Sequence, residues 1–193
     1  NDYFKRPTTI SKSGSSANYW PEGYQICDLP NVHLYEKGWS APYSSDPIRS
    51  SYWTYRNVAR QLWTGFEKPG IFGEAGAEPT NMYAANIEKG SSKYVEIYHN
   101  VLWSAWASGL AATPIWWEMN DRELMTDEVF AQMKAFARVA SDIDYADLNL
   151  ISSNASADTA DVFMMTADSL GFGWFRSYNN NVISGRFTRI SGL

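Results

Sequence analysis

The chain has 193 residues, 45% hydrophobic and 19% charged, the composition of a soluble globular protein. Its net charge of −5, without any basic cluster, argues against a nucleic-acid partner. No apolar run approaches the roughly 18 residues of a membrane-crossing helix, and the single cysteine, Cys27, excludes an internal disulfide and a cysteine-based metal site.

No basic leader with an apolar core opens the chain, and both ends read as cut from something longer. The informative excess is aromatic: nine Trp, twelve Tyr and nine Phe, material for a core and for platforms that stack on sugar faces.

In chain order, Arg6–Ser11 is short and β-branched and reads as a strand followed by a Ser/Gly loop. Asn18–Tyr24 is aromatic and irregular and reads as a loop. Asp28–Glu36 reads as a strand in which Val32 and Leu34 alternate with His33 and Tyr35. A period of two gives the aliphatics to covering helices and turns His33 and Tyr35 to the opposite face. Ser51–Phe66 carries Tyr52, Tyr55, Ala59, Leu62 and Phe66 at helical spacing, with Arg56 and Arg60 elsewhere on the wheel, and Pro69-Gly70 ends it.

Ile71-Phe72-Gly73-Glu74 follows at once: a short apolar strand, a carboxylate at its end, and small residues on both sides. Barrel enzymes place charged groups of this kind at the carboxyl ends of their strands. After a polar loop over Ala77–Ser92, Lys93–Leu110 is a second helix with a broad apolar face. Ala112–Glu118 then reads as a strand ending in Trp116, Trp117 and Glu118. A third helix starts from Thr126 as N-cap, runs to about Ala140, and buries Val129, Phe130, Met133 and Phe136.

This alternation implies a parallel sheet with helices outside it. From about Asp142 the character changes to short apolar segments over Asp147–Ser153, Asp161–Thr166, Phe172–Tyr178 and Val182–Ile190, with a turn at Asn179–Asn181. The division expected is residues 1–143 as the α/β part and 144–193 as the start of an all-β, sandwich-like domain.

The His33-Leu34-Tyr35 strand, the Phe72-Gly73-Glu74 strand, and the run Tyr98–Trp103 continuing through Ala107–Trp117 together resemble the clan A retaining glycoside hydrolases. These are (β/α)8 enzymes such as family 5 cellulases and mannanases, and the resemblance covers roughly residues 6–140. It implies strands five to eight of a TIM barrel, with Arg6–Ser11 as the fifth strand and Glu74 as the nucleophile. His33 and Tyr35 would line the sugar subsite, and Trp116 or Trp117 would stack under the sugar, one of the two facing inward. Glu118 would bind hydroxyls or lie solvated at the strand exit. It also implies a secreted or periplasmic enzyme that needs no cofactor and no metal.

One departure is informative. The family's acid/base Glu follows an Asn, and no Asn-Glu dipeptide occurs in this chain. The missing carboxyl group is expected from an N-terminal half-barrel, or from a second copy, that also covers the open sheet edges. The function expected is hydrolysis of β-glycosidic bonds in a polysaccharide or oligosaccharide by double displacement. The alternative is a carbohydrate-binding half-barrel or pseudoenzyme without its own acid/base. Two histidines, His33 and His99, make a poor metal-ligand set, and His99 reads as structural.

Overall fold

The structure, a computed structural model, describes residues 6–11, 20–36, 46–77, 87–114, 123–146, 148–157 and 160–177. It is mixed α/β, with one parallel and one antiparallel sheet of three strands each. In chain order the elements are β1 (Thr9–Ser11), α1 (Pro21–Ile26), β2 (Leu29–Glu36), α2 (Pro47–Phe66), β3 (Ile71–Ala77), α3 (Ser92–Trp106), α4 (Asp127–Ala140), β4 (Ile151–Ala157), β5 (Ala160–Thr166) and β6 (Gly171–Ser177). The segments expected over Val182–Ile190 and Asn179–Asn181 lie outside the described residues, as does most of the strand expected over Ala112–Glu118.

The parallel sheet runs β1-β2-β3 in sequence order. Parallel neighbours need a crossover, and α2 supplies the one between β2 and β3. Asp46 caps α2, its carboxylate accepting from Arg49 N at 3.0 Å, and Pro47 occupies the first turn, where a missing N–H costs nothing. The helix therefore starts one turn before the expected Ser51. Ile48, Tyr52, Tyr55, Ala59 and Leu62 form its buried stripe at alternating spacings of four and three.

That stripe packs along α3, which buries Tyr94, Ile97, Tyr98, Val101, Leu102 and Ala105. α3 ends at Trp106 rather than at Leu110. Gly109 takes φ +104°, and a Cβ there would meet Trp63 at 2.9 Å, so only glycine makes this turn beside α2. The turned chain brings Leu110 into a parallel bridge with Gly70, and Ala111 N donates to Gly70 O at 2.8 Å.

Two further local expectations are corrected, and the N-cap of α4 falls at Thr126 as expected. The segment read as a loop around Tyr24 contains α1, a six-residue helix begun by Pro21. Its last carbonyls are capped from a distance: Lys68 Nζ donates to the carbonyls of Tyr24, Gln25 and Cys27 at 3.2, 2.8 and 2.6 Å. Phe130 is 51% exposed, because the buried stripe of α4 runs through Val129 and Phe136. Thr126 occupies the N-cap position of α4 without a side-chain cap bond, which leaves Asp127 and Glu128 to face the positive end of the helix dipole.

The second sheet is an antiparallel meander, β4-β5-β6. Its inner face carries Phe163 and Trp174, stacked at 5.6 Å, and both belong to the same core cluster as the helices. Trp106 of α3 stacks on Phe172 at 4.2 Å, and Tyr52 of α2 packs edge-on to Trp174 at 5.0 Å. A polar clasp crosses the same boundary. Asp161 accepts from Arg49 Nε and Nη2 at 2.9 and 3.0 Å, from Trp53 Nε1 at 3.0 Å, and from the Tyr52 hydroxyl. Arg56, expected away from the apolar stripe, is buried in this junction, its guanidinium 4.7 Å from the Phe163 ring and 5.1 Å from Trp53. Burial, with a smaller effect from the Arg60 charge, lowers its pKa to about 10.

Candidate functional site

β2 and β3 differ from a regular parallel pair in one respect. Asn31 pairs with Ile71 and Val32 with Phe72, but His33 pairs with Glu74, so Gly73 has no partner on β2. This one-residue bulge decides where the carboxylate goes. Phe72 points to the helix layer, where it is 1% exposed and packs against Tyr55 at 5.5 Å. Strict alternation would send Glu74 to that same apolar face. The extra residue shifts the phase: Glu74 joins His33 and Tyr35 on the opposite face, and Ala75, fully buried, returns to the helix side opposite Leu34.

On that face the Tyr35 hydroxyl donates to Glu74 Oε2, and His33 Nδ1 lies 3.1 Å from the same oxygen. The Glu74 and His33 side chains are 28% and 19% exposed, so the cluster is screened from bulk water but still reachable from it. Burial, then the hydrogen bond and charge of Glu74, pushes the Tyr35 phenol well above its ordinary value, which keeps it a donor across the neutral range. The Tyr35 hydrogen bond falls on Oε2, the carboxylate oxygen nearest His33 Nδ1.

The backbone around the carboxylate is held from both faces of the sheet. Gly73 N donates to Asn31 Oδ1 at 2.9 Å. From the helix side, the buried Tyr55 hydroxyl accepts from Gly76 N at 2.8 Å and lies within bonding range of the carbonyls of Leu34 at 2.8 Å and Gly76 at 3.1 Å. These contacts fix β3 on either side of Glu74.

The structure thus brings together His33, Tyr35 and Glu74. Trp116, Trp117 and Glu118 lie outside the described residues. His99 stands apart, its Nδ1 2.7 Å from Gln132 Oε1 across the α3–α4 contact, as a structural histidine would. Asp28 has a structural task. It accepts from Thr8 N and from Thr8 Oγ1, each at 2.7 Å, and these bonds, the backbone one foremost, lower its pKa. Asn31 and Tyr55 were not legible as site residues. The one sequence signal was Gly73 itself, since a glycine inside a strand pattern marks a bulge or a close backbone approach.

Among the described residues no group of three or more His, Cys, Asp or Glu is placed to hold a metal ion, and no helix is long and apolar enough to cross a membrane. Comparison with protein-family models, curated proteins and solved structures finds no match for the chain.

Proposed function

We propose that the chain carries the nucleophile half of a retaining β-glycoside hydrolase, with Glu74 as the nucleophile. The observation that supports this most is the meeting of the Tyr35 hydroxyl and the His33 ring at a single oxygen of a half-buried carboxylate. The Tyr35 hydrogen bond at Oε2, with the His33 ring beside it, fixes the plane of the group. Oε1 is then the oxygen proposed to attack an anomeric carbon. Gly76, opposite Tyr35, adds no side chain to the face that bears Glu74.

In the reaction proposed, Oε1 forms a bond to the anomeric carbon as the glycosidic C–O bond breaks. A second carboxyl group, about 5–5.5 Å away, gives its proton to the leaving oxygen. That group then takes a proton from water, whose oxygen displaces Glu74 and regenerates the free carboxylate. Tyr35 and His33 do not enter the bond changes. They stand at Oε2 through both steps, and the Tyr35 hydrogen bond weakens as Glu74 loses charge in the ester and recovers as it leaves. His33, on the same face as Glu74, would also meet a sugar hydroxyl.

The finer architecture belongs to this proposal. The β1-β2-β3 order, with Leu110 beginning a fourth position beside Gly70, is what strands five to eight of a (β/α)8 barrel would give. Among the described residues β1 pairs only with β2, and the face bearing Glu74 is not the one the helices cover. A preceding half-barrel, or a second copy, would close that edge and supply the acid/base. Trp116 or Trp117 would give the sugar its stacking platform, Glu118 would reach its hydroxyls, and the enzyme would be secreted or periplasmic and act on a polysaccharide or oligosaccharide.

The test is hydrolysis of a panel of β-glucans, mannans and galactans by the complete polypeptide and by Glu74→Gln. The variant is expected to fold and to lose about 10⁴-fold or more in kcat. Full activity in Glu74→Gln would remove the nucleophile assignment, and sugar binding without turnover in the parent would favour a binding half-barrel instead.

A further inference from the structure

We propose that Asn31 is a positioning residue: its side-chain carbonyl holds Gly73 in the bulge and so turns the Glu74 carboxylate toward His33 and Tyr35. Asn31 lies on β2 directly opposite Ile71, two residues before the unpaired Gly73. Its Oδ1 accepts from Gly73 N at 2.9 Å, giving that amide a partner at the position where the β2 ladder skips it. An orphaned backbone N–H in a half-buried strand is costly, so without this acceptor the regular register gains on the bulged one. In the regular register Glu74 follows Phe72 onto the helix face.

The fit is also close on the other side. A Cβ at position 73 would meet Asn31 Oδ1 at 2.5 Å, so the approach requires glycine there as well as Asn at 31. Asn31 and Gly73 therefore act as a pair, and neither needs to touch substrate. The chemical use of Glu74 rests on the glycosidase reading above; the aiming of its side chain does not.

The experiment reads the Tyr35 ring, whose hydroxyl donates to Glu74 Oε2. The Tyr35 Cζ resonance of the complete, isotope-labelled polypeptide is recorded by NMR near neutral pH, with Tyr35 assigned by its loss in Tyr35→Phe. Glu74→Gln gives the chemical shift without a neighbouring carboxylate. Asn31→Leu, close in size but without an acceptor, is expected to move the Tyr35 resonance most of the way toward its position in Glu74→Gln. Asn31→Asp keeps an acceptor and is expected to leave it near that of the parent. If the Leu variant does not fold, Asn31→Ala carries the same readout.

A merely structural Asn31 would lower the melting temperature and leave the Tyr35 resonance of the folded protein where it was. That result, or a movement in Asn31→Asp equal to that in Asn31→Leu, overturns the proposal. A moved resonance in Asn31→Leu with full activity in Glu74→Gln keeps the positioning role and removes the glycosidase. An unmoved resonance with an inactive Glu74→Gln does the reverse.

Discussion

Removing the Asp161 carboxylate tests how firmly the antiparallel sheet is tied to the helices. Asp161 is 5% exposed and accepts four bonds from α2, two from Arg49 and one each from Tyr52 and Trp53. Asp161→Ala deprives all three donors of this acceptor at once. Breaking a buried ion pair from one side costs about 3–5 kcal/mol. Arg49 is 23% exposed and recovers some hydration, which favours the lower end of that range. The Tyr52 hydroxyl is fully enclosed and cannot recover hydration, so its loss adds up to about 1–3 kcal/mol, not strictly additive with the first figure. The expected total is about 3–5 kcal/mol, a large share of the roughly 5–15 kcal/mol of a typical domain.

Asp161→Asn keeps the shape and one acceptor and is expected to cost about 1–3 kcal/mol. Urea unfolding followed by tryptophan fluorescence reads both, since Trp53 and Trp174 lie in the junction. A loss below about 1 kcal/mol in Asp161→Ala, with an unchanged denaturant slope, would show that the clasp contributes nothing net and that the stacked rings alone hold the sheet.

Two other outcomes follow from the site and its frame. On the proposed mechanism, Tyr35→Phe in the complete polypeptide removes one charge-assisted hydrogen bond of about 1.5–3 kcal/mol, so kcat is expected to fall about 10- to 100-fold, well short of Glu74→Gln; an equal fall in steady-state assays would give Tyr35 a part in the bond changes. Asp28 has a lowered pKa in the folded state, so its contribution to stability is present above the ordinary carboxylate value and is lost as pH falls through the folded one. The stability gap between the parent and Asp28→Asn should therefore be full near neutrality and close in acid. A gap independent of pH in thermal melts would contradict the Thr8 bonds as its cause.

Much of the frame is legible in the residues. The stripe from Tyr52 to Leu62 and the alternation of Val32 and Leu34 with His33 and Tyr35 follow from periods of 3.6 and 2, and burial enforces both. What periodicity cannot carry is a change of phase. Nothing in Phe72-Gly73-Glu74 counted by twos puts the carboxylate beside His33; that needs the bulge, and the bulge needs Asn31 from another strand. Asp161 was illegible for a similar reason. Its partner Arg49 is 112 residues away, and in the sequence it is one acidic residue opening an apolar strand. α1 was missed because six residues give too little period to see, although Pro21 and Glu22 carry the start signal.

The central claim is that Glu74 forms a covalent bond to sugar. Fluorosugar substrates with an activated leaving group slow the second displacement more than the first and accumulate the glycosyl-enzyme, which peptide mass spectrometry can locate. The account predicts one sugar mass added to the peptide containing Glu74, absent from Glu74→Gln. An adduct on any other residue, or turnover of the substrate without an adduct when attack from solvent inverts the anomeric centre, would contradict it.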